Sequence, residues 1–133
     1  MYRQFLKKIF AKNQYQPELK NQYKLLHQKG YFKGYSIETY ITELIDLIEQ
    51  YQPQSLLDYG CGKGKQYDEK KVHHRWGGLM PHLFDPAVKK FQKKPIESFE
   101  GVICTDVAEH VPESEVPSFL SDVFFFATKF VFI

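Results

Sequence analysis

Residues Leu56–Gly64 read LLDYGCGKG, an apolar run ending in an acid, Asp58, followed by glycine at every second position: Gly60, Gly62 and Gly64. Glycine adopts positive φ without a steric penalty, and without a Cβ it lets another group come close to the backbone. Strand, glycine turn and helix in succession form the cradle that holds nucleosides and dinucleotides at the carboxyl edge of an open α/β sheet. A dinucleotide fingerprint has the spacing G-x-G-x-x-G. Its third glycine would fall at position 65, which is Lys65.

Two later segments repeat the order strand then acid. LFDPAV places Asp85 directly after a short apolar run. A carboxylate there can accept hydrogen bonds from both hydroxyls of a ribose. Asp before Pro86 is also a good helix N-cap, so both readings stay open. GVICTDVAEHV, Gly101–Val111, is a β-branched strand followed by Asp106 and then by Glu109-His110. Glu109 suits a helix start, where an acid complements the dipole. His110 either packs or meets a substrate.

Taken together, Asp-x-Gly-x-Gly-x-Gly, strand-Asp and strand-Asp-x-x-Glu-His resemble the class I S-adenosylmethionine-dependent methyltransferases over Ser55–Val111. The resemblance implies an α/β, Rossmann-like, mostly parallel sheet with helices on both faces. It implies S-adenosyl-L-methionine as cofactor, held by Asp58, Gly60, Cys61, Gly62, Gly64, Asp85, Pro86, Thr105, Asp106 and Val107. In that reading Asp85 takes the ribose, Thr105–Val107 lie near the adenine or methionine portion, and Glu109-His110 form the floor of the active site. A methyl group moves in line from a sulfonium to a nucleophile, a displacement that depends on positioning and water exclusion and needs no metal. Where the nucleophile must lose a proton, His110 is the first candidate base and Asp106 the second. The acceptor, a small molecule or a nucleic acid, is not identified. An alternative is a non-catalytic S-adenosylmethionine-binding or regulatory module completed by a partner chain. A nucleotide-dependent oxidoreductase is disfavoured by the glycine spacing.

Flanking periodicity supplies the frame. Tyr2, Phe5, Leu6, Ile9 and Phe10 predict an amphipathic helix over 2–12, and Leu19, Tyr23 and Leu26 a second one between Pro17 and Gly30. These two helices make residues 1–35 an N-terminal arm or lid, and 36–133 the cofactor-binding domain. Ser36 is positioned to cap a helix whose face is Ile37, Tyr40, Ile41, Leu44, Ile45 and Ile48, ending before Pro53. Strands are expected at Ser55–Tyr59, Pro81–Phe84, Gly101–Thr105 and Phe130–Ile133. Helices are expected at Lys65–Lys71, at Pro86–Gln92 and from Pro112 through Phe124, with His73–Gly78 as loop. The interval from Asp85 to Gly101 is short for a further strand, and the apolar run at Phe130–Ile133 stands where the family places its fifth. The expected sheet is thus cut off after the fifth strand, and a bare end strand invites a dimer or a partner.

Composition narrows the classes. The 133 residues, 43% hydrophobic and 17% aromatic, suit one ordered domain. No apolar run reaches the ~20 residues needed to cross a bilayer, and MYRQFLKKIF lacks a signal-peptide core. The chain is therefore expected to be free of the membrane, and two widely spaced cysteines, Cys61 and Cys104, suit a reducing cytoplasm. His73-His74 with Cys61 lacks the spacing of a zinc site, so no metal is expected. Trp76 is either a lid over the pocket or plain packing, and Tyr35 is placed to close over a cofactor. Net charge is +2, but residues up to Tyr35 carry +7 and the remainder −5. A basic arm on an acidic body fits an anionic partner such as RNA, DNA or a phosphorylated substrate, or simply a solvated helical face.

Overall fold

The computed structural model describes residues 35–133, so both N-terminal helices and most of the basic arm lie outside the described residues. Leu56–Tyr59 (β1) is buried at every position, as a strand covered on both faces must be. It pairs in parallel with His82–Phe84 (β2) on one side and Phe99–Ile103 (β3) on the other. Ala127–Phe132 (β4) extends the sheet beyond β3, also in parallel. The sheet is four-stranded, ordered β2-β1-β3-β4.

The expected fifth-strand truncation is corrected by this count. Gln92–Ser98, where a third strand of the larger sheet would lie, contains no strand and includes Pro95, which has no N–H to donate to a ladder. β3 begins two residues earlier than expected and ends at Ile103, leaving Cys104 and Thr105 as the exit from the strand. β4 likewise begins earlier, at Ala127.

Ile41–Tyr51 (α1) follows a 3-10 turn at Ser36–Tyr40. Ser36 makes no side-chain cap; its hydroxyl lies 2.7 Å from Thr105 Oγ1 instead, tying the helix entry to the exit of β3. The helix expected at Lys65–Lys71 is a single turn, Lys65–Asp68 (α2). The segment read as loop before Gly77 is a 3-10 helix, Val72–Trp76. The expected Pro86–Gln92 helix reduces to a 3-10 turn at Lys89–Phe91. Val116–Phe125 (α3) follows a 3-10 turn at Glu113–Glu115, with Pro117 in its first turn, where a missing N–H costs nothing. No helix among the described residues is long and apolar enough to cross a membrane.

Strand alternation divides the core in two. Leu57, Tyr59, Phe84 and Val102 face α3 and its Phe119 and Val123. Leu56, Ile103 and Phe130 face α1 and the 3-10 helix, meeting Ile37, Leu44, Ile48, Val72 and Trp76. Each fully buried Leu, Ile or Phe contributes roughly 1.5–3 kcal/mol. Gly101 lies on the α1 side of β3. An added Cβ there would stand 2.4 Å from Phe130 Cζ and 2.7 Å from Leu56 Cδ2, so these two side chains fill the space over the glycine.

Three polar residues of α3 are buried, Ser118, Ser121 and Asp122, and the last is an acid. Asp122 accepts hydrogen bonds from the Tyr59 hydroxyl, at 2.5 Å, and from the Lys94 ammonium. Lys94 also lies 5.8 Å from the centroid of the Phe126 ring. The strandless segment is thereby fastened to the helix by an ion pair whose acid is buried and whose base is 42% exposed. Replacing Lys94 by Ala should lower the unfolding free energy by about 1–2 kcal/mol, less than for a fully buried pair because the ammonium is partly solvated. Denaturant titration checks the value, and hydrogen exchange should show residues 92–98 loosening first. Unchanged stability and exchange would mean that the ion pair does not hold the segment.

Candidate functional site

The carboxyl ends of β1, β2 and β3 lie side by side, so Asp58, near the end of β1, and Asp85 and Asp106, beyond β2 and β3, are brought to one edge of the sheet. Beyond β1 the chain turns through Gly60, Gly62 and Gly64 at φ of 87°, 59° and 71°, all in the region that L side chains avoid. The first turn is hooked over β2: the amides of Gly60 and Cys61 both donate to the Phe84 carbonyl, at 2.8 and 3.2 Å. Gly60 has a second reason to be glycine. A Cβ at that position would meet Val107 Cγ2 at 2.4 Å, so Val107 brings the loop after β3 directly onto the glycine turn.

Asp85 holds the middle of the turn. Its Oδ2 accepts from the Gly62 amide and its Oδ1 from the Ala87 amide, each at 2.9 Å. The second bond is the local cap that Asp before Pro86 suggests. The first spans 23 residues and fastens the β2 exit to the glycine turn. The capping reading is thus present in the structure, and the same carboxylate also anchors the glycine turn.

Asp58 lies below the turn and is 1% exposed. The Tyr67 hydroxyl, from α2, donates to Asp58 Oδ2 at 2.6 Å. Burial raises the Asp58 pKa most, the Tyr67 hydrogen bond opposes the rise, and the nearby Asp85 charge adds to it, leaving the group at about 7. Burial and the same carboxylate push the Tyr67 phenol well above its ordinary value. Gln66, also buried on α2, accepts the Ile37 amide through Oε1 at 3.0 Å, which couples α2 to the start of α1. Sequence reasoning did not find Tyr67 or Gln66. The only available signal was their adjacency to the glycine turn.

The remaining sequence-predicted residues separate into two groups. Cys61 and Thr105 are buried, and Pro86 and Val107 are half-buried around the turn. The Cys61 and Cys104 thiols are free, and burial, their largest influence, drives both upward, away from thiolate. Asp106, Glu109 and His110 are exposed. Asp106 has a positive φ of 53°, a conformation Asp tolerates better than most residues. Its Oδ1 is 3.5 Å from the Tyr40 hydroxyl. Glu109 and His110 lie on a 3-10 turn, Ala108–His110, 3.9 Å apart, with side chains 54% and 42% exposed. They stand at the rim of the strand ends and not on a buried floor. Tyr35 donates to Glu69 Oε2 at 2.5 Å, and Lys70 lies 5.5 Å from its ring centroid. Trp76 is core: its indole donates to the Leu79 carbonyl at 2.8 Å.

A cavity of about 330 Å³ lies elsewhere, between the end of α1 and Trp76, beside Pro53 and Leu79. These residues precede β1 and β2, so the cavity belongs to the amino-terminal edge of the sheet. The glycine turn lies at the opposite edge. No protein-family model matches the chain, and neither curated proteins nor solved structures gave a match.

Asp58 makes the stability of the protein depend on pH in a defined direction. Its carboxyl binds a proton more tightly folded than unfolded, so its contribution is complete below the unfolded value of 3.8 and is lost as pH rises to about 7. Asp58→Asn keeps an acceptor for Tyr67 and removes the titration. The stability difference, variant minus wild type, should grow by roughly 2–4 kcal/mol between pH 4 and pH 8. Paired urea titrations across that range check it, and a flat difference would place Asp58 in a more solvated setting.

Proposed function

We propose that this chain is a Rossmann-like, S-adenosyl-L-methionine-dependent methyltransferase domain of a reducing, cytoplasmic compartment. One observation carries the reading: the Asp85 carboxylate, 6% exposed, bridges to the middle of a three-glycine turn at adjoining strand ends. A crevice beyond the carboxyl ends of parallel strands is where open α/β sheets bind nucleosides. The donor set fits the cofactor. The Asp85 carboxylate stands at the strand end where open α/β sheets take a ribose, and two nearby carboxylates suit a ligand carrying ammonium and sulfonium charge. The helix after the turn has only four residues, so it offers little dipole to a pyrophosphate. A nucleoside without phosphates needs none.

When bound, the cofactor supplies an electrophilic methyl carbon. The chain's own part is positional. Asp85 fixes the turn and orients the ribose, Val107 closes the turn against the β3 exit, and Thr105 is held by Ser36. Asp106 and His110, exposed at the rim, are placed to meet the acceptor, with His110 taking a proton where the nucleophile carries one. The same exposure of Glu109 and His110 favours a second reading, a cofactor-binding module without catalysis, whose acceptor side would be supplied by another chain.

Calorimetric titration with S-adenosylhomocysteine and with NAD tests the cofactor, and methyl transfer to pooled acceptors separates the two readings. Asp85→Ala should weaken binding of the homocysteine compound by one to a few powers of ten, from two lost charge-assisted bonds of about 1.5–3 kcal/mol each. Because the same carboxylate holds Gly62, the melting temperature should fall as well. A folded wild-type protein that does not bind S-adenosylhomocysteine, or an Asp85→Ala variant that melts lower with unchanged affinity, would overturn the assignment.

A further inference from the structure

Nine of the ten Lys and Arg residues between positions 35 and 133 fall within 63–94, against three acids there, of which Asp85 is buried. Residues 95–133 hold seven acids and one base, and residues 36–62 hold five acids and no base. The fold converts this order into a spatial gradient. The basic stretch contains β2, the outer strand at one end of the sheet, and the glycine turn beside it. The acidic helix α1 lies over the other end, where Tyr40 and Tyr51 meet Phe132 and Phe130 of β4 at centroid distances of 6.0 and 5.5 Å.

Two basic loops converge next to the candidate site. The Cβ direction of Gly64 points to Leu83 and to the Phe91 ring, at 3.2 and 3.3 Å, so the turn bearing Lys63 and Lys65 packs on the turn bearing Lys89 and Lys90. Phe91 is half-buried between them, and the Lys90 ammonium lies 5.1 Å from its ring centroid. Lys93 continues the row. Lys63, Lys89, Lys90 and Lys93 are exposed, and none forms an ion pair with a described residue. Glu97 lies in the field of Lys93, but Lys63, Lys89 and Lys90 gather like charge that raises the local potential and attracts a polyanion.

We propose that the β2 end of the sheet, through Lys63, Lys65, Lys89, Lys90 and Lys93, binds the backbone of a single-stranded nucleic acid and leads it to the crevice beside Asp106 and His110. As a statement about the acceptor this rests on the methyltransferase reading; as a statement about binding it stands alone. A single strand is favoured over a duplex because its bases and sugar hydroxyls reach a crevice without first being unstacked. Spaced ammonium groups around an aromatic ring match a flexible phosphate chain with exposed bases.

The full chain should bind a fluorescent 20-nucleotide single-stranded RNA, with affinity falling as salt rises at a log–log slope of about −0.7 per phosphate neutralised. The triple variant Lys89→Glu, Lys90→Glu, Lys93→Glu should bind it at least tenfold more weakly and with a shallower slope, while melting temperature stays as in wild type. Glu113→Lys with Glu115→Lys, on the acidic side, should leave affinity the same or tighten it. The basic residues before position 35 are intact in every variant, so equal binding by wild type and the triple variant would overturn the proposal. Stronger charge-dependent binding to duplex DNA or to phosphatidylserine vesicles than to the single strand would overturn it too. S-adenosylhomocysteine titrated into the same variants separates the two ideas. Nucleotide binding without cofactor binding leaves this inference standing and removes the methyltransferase reading, and the converse does the reverse.

Discussion

The carboxylate of Asp85 is the tie on which the candidate site depends. Parallel strands fix their neighbours through the ladder, and the Gly60 and Cys61 amides on the Phe84 carbonyl carry that bonding only into the start of the turn. Here one side chain accepts the Gly62 amide with one oxygen and the Ala87 amide with the other, so the exits of β1 and β2 share a single anchor. Both are charge-assisted bonds in a buried place, where their strength is greatest and an unmade bond costs most. Val107 against Gly60, and Ser36 against Thr105, then bring the β3 exit and the start of α1 to the same place.

That arrangement also sets the electrostatics. Asp85 accepts two backbone amides, and Asp58 lies beneath with one phenol hydrogen bond and almost no solvent. Burial raises the Asp58 pKa most, and the neighbouring Asp85 adds to the rise. An acidic interior thus lies beside a β2 end of the sheet that is rich in lysine.

Much of the frame could be read from local sequence. LLDYG and GVIC are apolar, β-branched or followed by glycine, and the strand that each forms is shifted by no more than two residues. Pro53 and the stripe from Ile37 to Ile48 marked the first helix, although its first turn is 3-10. What was missed is what long-range contacts decide. Lys65–Lys71 and Pro86–Gln92 have the length of helices but few apolar residues at helical spacing, so each keeps only one turn. Ser36 is a sound N-cap in isolation, yet Thr105, 69 residues away, takes its hydroxyl. Within the site, the glycines and the strand-end acids were legible because backbone geometry demands them. Tyr67 was not, since its partner is set by the angle at which α2 leaves the turn. The exposure of His110 was equally hidden, because local sequence left it open whether His110 packs or meets a substrate, and it stands on a 3-10 turn before the expected helix.

The two thiols carry a consequence of their own. Cys61 stands within the glycine turn and Cys104 at the exit of β3, both almost without solvent and both free. Alkylating reagents attack thiolate, and here neither ionisation nor access is available while the fold is closed. Labelling therefore has to wait for an opening. Cys61 records excursions of the turn, and Cys104, sealed between the sheet and the helix that follows it, records separation of the layers themselves. The ratio of the two labelling rates is a clock, native to the chain, that tells breathing of the turn from unfolding of the whole.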